Sequence, residues 1–256
     1  MKYTKKWTPG RSRILFIIKV IIRWFNGSPG ILYTPGIHLI DGPAGSGKTL
    51  LGSIIIHNIT DHSNRFVWTN MDEFKTPKAK TFDIDKLFSD GHQNFRLNKW
   101  MEIDEKKCRV WGLFIDEINA KFNRRMNRQK DYNDVFVPLV AMMVTHRHQL
   151  CDHVYLMGQS LLLQDSQLQA IVKVRHTVSC SKRWRYWWFR EKSIMLYLPK
   201  WLKIYHFLNI GVDNQGNVIW EPVKKVTKIK VTPADIEGFD THAFEKLTDG
   251  LPQYLG

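Results

Sequence analysis

The sequence predicts an α/β fold, a mostly parallel sheet covered by helices on both faces, with a small antiparallel β extension. Three observations carry this. Between residues 37 and 178, short apolar runs alternate with longer stretches of helical periodicity, the pattern left by strands joined through crossover helices. A glycine-rich loop, Gly42 to Gly47, stands between the first apolar run and the first helical stretch. After Ser179 the helical stretches give way to short strand-like runs separated by turn residues.

Taken in order, residues 1–11 are basic and contain Pro9–Gly10, which reads as an irregular arm. Ser12–Phe25 reads as a helix: Ser12, Phe16, Lys19 and Arg23 share one face and the other faces are almost wholly apolar. Residues 26–36 hold Gly27, Pro29, Gly30, Pro35 and Gly36, a series of turns. Ile37–Ile40 is the first strand and Lys48–Thr60 the first helix, with Leu51, Ile55 and Ile59 recurring every fourth residue. Further strands are expected at Arg65–Thr69, Val110–Ile115, His153–Met157 and Ile171–Val178. Helices are expected around Ile84–Phe88 and over Asp134–His148. Trp184–Phe189, Ile194–Leu198 and Lys203–Leu208 read as short strands, and Asp213-Asn214-Gln215-Gly216 as a hairpin turn. The expected organisation is a basic arm and amphipathic helix (1–36), a nucleotide-binding core (37–182), and an antiparallel extension with a C-terminal tail (183–256).

Composition bounds the function. Hydrophobic residues make up 43% of the 256, which places the chain among folded proteins. Its three cysteines share no CxxC spacing, against a disulfide framework. The net charge of +14 is unevenly placed: residues 1–40 carry seven Lys/Arg and no acid, and residues 171–230 carry thirteen against three acids. Basic flanks on a nearly balanced core point to an anionic partner, nucleic acid or acidic lipid. No uncharged run reaches the ~20 residues that span a bilayer. Ile14–Phe25, interrupted by Lys19 and Arg23, would form a helix roughly 18 Å long, suited to lying on a membrane.

Gly42-Pro43-Ala44-Gly45-Ser46-Gly47-Lys48-Thr49 matches GxxxxGK[ST] without departure. The glycines let backbone N–H groups converge on phosphate oxygens, and the helix that follows aims its N-terminus at the anion. Lys48 is expected on the β- and γ-phosphates of ATP and Thr49 on Mg²⁺. Leu113-Phe114-Ile115-Asp116-Glu117 ends an apolar strand in two acids. Asp116 is expected to hold Mg²⁺ and Glu117 to orient or deprotonate the attacking water. Gln159, just past the strand Val154–Met157, is placed to sense the γ-phosphate. Arg124, Arg125, Arg128 and Arg147 are candidates for an arginine finger, with Arg147 and Arg124 preferred. His146, His148, Cys151 and His153 lie close in sequence, but their spacing fits no common structural-zinc pattern. Trp184, Trp187 and Trp188 among Lys182, Arg183, Arg185 and Arg190 read either as a hairpin with a packed aromatic face or as a nucleic-acid or membrane-interface patch.

Five segments together resemble the zonula occludens toxin (Zot) family, which includes filamentous-phage assembly ATPases, within the FtsK–HerA class of P-loop motors. They are GPAGSGKT, Val67-Trp68-Thr69-Asn70, Ile115-Asp116-Glu117, Thr145-His146-Arg147-His148 and Met157-Gly158-Gln159. Phe239-Asp240-Thr241 echoes a further family element. The resemblance covers about residues 37–180. It implies an ATPase that forms a ring-like homo-oligomer and drives virion assembly and export with viral assembly proteins. That activity would sit in the host cytoplasm, peripheral on the inner face of the host membrane. Relatives in the class package or translocate DNA, so a DNA-packaging motor acting on viral DNA is the alternative. The resemblance further implies that His146, Arg147 and His148 lie near a subunit contact, and that Gln159 is the γ-phosphate sensor.

Overall fold

The computed structural model describes residues 29–62, 65–71, 78–82, 100–103, 106–118, 140–141, 143–149, 151–159, 166–189, 192–232 and Asp235. The helices expected at residues 12–25 and 84–88, Arg124, Arg125, Arg128 and Phe239-Asp240-Thr241 lie outside the described residues.

A 3₁₀ turn, Pro29–Tyr33, leads into β1 (Gly36–Asp41), the glycine-rich loop and α1 (Lys48–His62). β2 (Phe66–Thr69), β3 (Ala79–Thr81), β4 (Trp100–Ile103) and β5 (Lys106–Ile115) follow. Then come α2 (His146–Gln149), β6 (His153–Gly158), α3 (Ser166–Ile171), and the long strands β7 (Val174–Phe189) and β8 (Lys192–Val212). β9 (Val218–Pro222) and β10 (Thr227–Lys230) complete them. The strands form one path, β10-β8-β7-β1-β6-β5-β2-β3, with β4 beside β5 and β9 beside β8. From β7 to β3 every pairing on that path is parallel; β8, β9 and β10 join antiparallel.

Alternation along the central strands buries both faces of the sheet. Leu39, Leu113 and Leu156 belong to one apolar cluster with Met143 and α3's Leu168. Their chain neighbours Ile40, Phe114 and Met157 belong to another with Leu51, Ile54, Ile55 and Ile59 of α1. Each such fully buried Ile or Leu contributes about 1.5–3 kcal/mol. α1 approaches β6 closely at Gly52, where a Cβ would stand 2.7 Å from the Met157 sulfur.

The expected strands are found, with differences: the fifth begins at Val174, because Ile171 closes α3, and β3 and β4 are additional. Trp184–Phe189 and Ile194–Leu198 are parts of two long strands, and β7 runs unbroken through residue 182 with a register shift between Ser181 and Lys182. The Asp213 turn is present: its Oδ1 accepts from the N–H groups of Gln215 and Asn217, each at 2.8 Å.

A buried histidine chain ties the antiparallel strands to β1. His38 on β1 lies 2.9 Å from His176 on β7, which lies 2.8 Å from His206 on β8, and His206 reaches the Thr227 hydroxyl of β10 at 2.7 Å. The direction of every bond follows from the end. The Thr34 carbonyl can only accept, so His38 donates to it from Nε2 at 2.6 Å and accepts at Nδ1 from His176 Nε2–H. His176 Nδ1 accepts from His206 Nδ1–H, and His206 Nε2 accepts from Thr227. All three rings are neutral, each with one proton. Burial holds His38 and His206 down to about 4 and His176 well below the usual imidazole value.

Candidate nucleotide site

The loop after β1 is shaped by backbone that only glycine tolerates. Gly42, Gly45 and Gly47 have φ of 152°, 71° and 92°. A Cβ on Gly42 would stand 2.6 Å from Ser46 Oγ and 2.7 Å from the Val178 carbonyl; one on Gly47 would meet Leu202 at 2.6 Å. Pro43, Ala44 and Gly45 form the exposed crest, and Ser46 turns back inward with its N–H on the Pro43 carbonyl at 3.1 Å. The Ser46 hydroxyl is buried with no hydrogen-bond partner among the described residues. α1 then begins at Lys48, so its free N-terminal N–H groups open onto the loop.

Lys48 folds back along the loop and donates to the carbonyls of Gly42 and Pro43 at 2.9 and 3.0 Å. Partial burial lowers its pKa, opposed by the nearby carboxylates of Asp116, Asp41 and Glu117. Thr49 Oγ1 donates to Asp116 Oδ2 at 2.8 Å, joining two segments far apart in sequence. Asp116 follows the last residue of β5, and burial raises its pKa against the pull of the Thr49 and Glu117 hydrogen bonds. Its other oxygen accepts from the Glu117 N–H at 2.8 Å. Glu117 is exposed and has φ of 54°, the one non-glycine in the left-handed region among the described residues. Such backbone costs on the order of 1–3 kcal/mol and concentrates at functional sites.

Two supporting residues carry roles that local sequence pattern does not reveal. The Asn70 amide, just past β2, accepts from the Asp116 N–H at 2.6 Å and donates to the Asp116 carbonyl at 3.1 Å. One side chain thus stands in for a strand partner and fixes the backbone where the carboxylate leaves the sheet. The sequence marks Asn70 only as the end of Val67-Trp68-Thr69-Asn70, one of the segments that resemble the Zot family, and gives it no role. Asp41, the last residue of β1, is 3% exposed and is held by Arg175 at 2.7 Å and by the Thr177 hydroxyl at 2.7 Å.

β6 lies between β1 and β5, with Gly158 paired to Asp41. Gln159, exposed, therefore leaves the sheet between the loop and Asp116. Arg147 is elsewhere: its guanidinium donates to the Pro35 carbonyl at 3.0 Å, just before β1 begins. The six residues of β1 separate it from Gly42, a span of about 20 Å. Within one chain it does not join the site. His146 and His153 use Nδ1 to donate to the carbonyls of Met143 and Thr34, and Cys151 donates to the His153 carbonyl.

The arrangement fits a nucleoside triphosphate with magnesium. The glycine cradle leaves no room for side chains, and an orphaned hydroxyl at Ser46 awaits an acceptor or donor. Thr49 and Asp116 offer two hard oxygens in contact, the kind of donor set that binds Mg²⁺ together with substrate phosphates. This is a P-loop, on a sheet of the P-loop NTPase order.

No protein-family model matches the chain. It is 28% identical over 228 residues to an uncharacterized 37.2 kDa protein of Acholeplasma phage L2, covering 86% of this chain and 71% of that one. Among solved structures, it is similar to the N-terminal domain of zonular occludens toxin from Neisseria meningitidis, at 15% identity and a TM-score of 0.46, over 81% of this chain and 100% of that one. It is also similar to B204, the DNA-packaging ATPase of Sulfolobus Turreted Icosahedral Virus, at 14% identity and a TM-score of 0.37, over 57% of this chain and 76% of that one.

Proposed function

We propose that this protein is an Mg²⁺-dependent ATPase of the Zot type that works as an oligomeric motor in phage virion assembly and export at the host membrane. The observation that carries the ATPase is the Thr49–Asp116 contact at 2.8 Å beside a side-chain-free cradle. The similarity to a phage protein and the five resembling segments support the viral setting. The basic residues of the first 40 positions and the apolar run Ile14–Phe25 support a place on an acidic membrane surface. No helix among the described residues is long and apolar enough to cross a membrane.

In this reading the loop N–H groups and Lys48 bind the β- and γ-phosphates, so Lys48 exchanges its carbonyl partners for phosphate oxygens. Thr49 and Asp116 hold Mg²⁺, which supplies charge neutralisation on the phosphates. Glu117 orients and deprotonates the attacking water, and Gln159 reads the γ-phosphate. A guanidinium on an exposed face, Arg147 or Arg124, would complete a neighbouring subunit's site and add ~10³-fold or more to turnover.

Lys48→Ala is expected to weaken ATP binding by on the order of 10- to 100-fold. Glu117→Gln should keep affinity and slow hydrolysis by about 10²- to 10⁴-fold. Fluorescent-nucleotide titration and phosphate release measure the two. Equal loss of binding in both variants would remove the roles assigned. Stimulation of turnover by duplex DNA and not by anionic vesicles would move the reading to a DNA-packaging or translocating motor.

A further inference from the structure

The β10-β8-β7 side of the sheet has two unlike faces. Along β8, Leu202, Ile204 and His206 are buried, and Trp201, Lys203 and Tyr205 alternate with them on the other face. β10 alternates in step: Thr227 is buried and Ile229 packs on the α1 side, while Lys228 and Lys230 are exposed. Val178, Leu202 and Ile204 belong to the apolar cluster under α1, so the second face is turned away from α1. Ser179, Lys203 and Lys228 form one row across the three strands, and Ser181, Trp201 and Lys230 the next.

Lys203 and Lys228 are direct cross-strand partners. Like charges so placed, with Cβ atoms about 5 Å apart, destabilise a sheet. Lys230 follows two residues on along the same face, and none of the three has an ion-pair partner among the described residues. The nearby acids are spent or turned away. Asp41 is held by Arg175 and Thr177, and Asp235 accepts from Thr232. Asp213 is in the β8–β9 turn, and Glu221 pairs with Leu208 on the opposite face. Three unmatched cations held together at a cost to the fold fit an anion supplied from outside.

The rest of the face selects the anion. Tyr205 is 41% exposed, two residues from Lys203 on the same face, and Ser179 offers an exposed hydroxyl beside Lys203. A polyanion that alternates phosphates with open π-faces is an unpaired nucleic-acid strand: cations take its phosphates and aromatic rings its bases. A duplex keeps its base faces in the stack, and its major groove admits a helix or a two-stranded ribbon, not a flat three-stranded face. Anionic lipid would satisfy the lysines, but no exposed aliphatic side chain stands with them; Ile210, Val212 and Ile219 lie at the far end, around the β8–β9 turn.

We propose that the face of β7, β8 and β10 carrying Lys203, Tyr205, Lys228 and Lys230 binds a single nucleic-acid strand, with the lysines on phosphates and Tyr205 against a base. None of these residues belongs to the phosphate loop, so this stands whether or not the protein hydrolyses ATP.

Anisotropy of a fluorescent thymidine oligonucleotide of about 20 nucleotides, titrated with the full chain at several salt concentrations, tests it. Each phosphate neutralised on a single strand contributes about 0.7 to the slope of log affinity against log salt. The combined change Lys203→Ala, Lys228→Ala and Lys230→Ala should weaken binding by on the order of 10- to 100-fold and flatten that slope by about 2. Tyr205→Ala should weaken binding about five- to a hundredfold and leave the slope unchanged. Arg65→Ala with Lys80→Ala removes exposed cations at the opposite edge of the sheet and should change affinity by less than about twofold. The urea midpoint of each variant shows that it is folded. Vesicles of phosphatidylcholine with about 30 mol% phosphatidylglycerol should bind the triple variant and the native chain alike. Unchanged oligonucleotide binding by the triple variant would overturn the proposal. So would an equal loss per charge in the Arg65 and Lys80 variant, the mark of bulk charge alone, tighter binding of a duplex of the same length, or a loss of vesicle binding in the triple variant. If the triple variant does not fold, Lys228→Thr alone should flatten the slope by about 0.7, and an unchanged slope would again overturn it.

Discussion

The two ends of β1 are built from opposite kinds of buried polarity. Past its last residue, Lys48 and Asp116 are charged groups drawn out of water, with pKa values displaced toward their neutral forms. The backbone there is strained at Glu117 and takes conformations open only to glycine at Gly42 and Gly47, and one hydroxyl has no partner among the described residues. Around its first residues, His38, His176 and His206 are neutral, and each has both ring nitrogens hydrogen-bonded. His38 also stacks on Tyr155, and His153 on Trp111. The first end leaves charge and a hydroxyl unmatched; the histidine chain at the second is closed on itself. Burial of polar groups therefore does not by itself mark a site. Unspent charge, strain and an orphaned donor together do.

Acid should separate the ends most strongly. Burial holds His38, His153 and His206 at about 4, against 6.5 in an ordinary imidazole; Lys173 and the neighbouring histidines add repulsion at His38. Between those values the unfolded chain binds protons that the folded chain refuses, so stability falls as pH falls from 6.5 and levels off, for these rings, below about 4. The three together are worth on the order of several kcal/mol. Asp116 works in the other direction. Its raised pKa means that the folded chain takes up a proton first, so its desolvation cost is relieved on acidification. Urea midpoints between about pH 7 and 4.5 measure the sum. A midpoint that does not move would contradict the neutral-ring assignment.

The middle of the histidine chain gives the next largest effect. His176→Ala removes a fully buried ring and leaves His38 Nδ1 and the His206 N–H without partners. It should cost about 3–5 kcal/mol, with little change in the ATP affinity of the folded fraction. An equal loss of affinity would show that the two ends are not separable.

How far these regions can be read from sequence differs for a physical reason. GPAGSGKT and the acids after Ile115 are contiguous, and their chemistry depends on local backbone, so they stand out in a linear reading. The strand-helix alternation is legible for the same reason. The histidine chain is not, because His38 and His176 are 138 residues apart and meet only through parallel pairing of β1 and β7. Asn70 reaches Asp116 across 46 residues by the same kind of pairing, of β2 with β5. β3, with three residues, is too short to leave a pattern. The long hairpin reads as separate short strands because Arg190-Glu191-Lys192 and Pro199-Lys200 interrupt its apolar runs in sequence.

Asn70→Ala tests whether strain at the phosphate end is held from outside. Losing both bonds to the Asp116 backbone should cost about 1–3 kcal/mol and lower turnover more than nucleotide affinity. Asn70→Asp, which keeps only the acceptor, should fall between. Equal activity in all three would leave Asn70 as packing alone. The smallest effect on folding is expected at Arg147, whose guanidinium donates to the exposed Pro35 carbonyl. Arg147→Ala should change stability by within about 0.5 kcal/mol. A large loss of turnover with that small change identifies it as a finger acting on a neighbour; unchanged turnover at all protein concentrations excludes it.

Leu202 has a mechanical consequence. It sits on β8, and its Cδ2 fills the space that a Cβ on Gly47 would need. Cys180, on β7, stands 3.6 Å from the same point. Packed interiors compress little, so the antiparallel strands form a backstop to the glycine-rich loop: Gly47 keeps its place against β8, and any side chain added there has to push Leu202 aside.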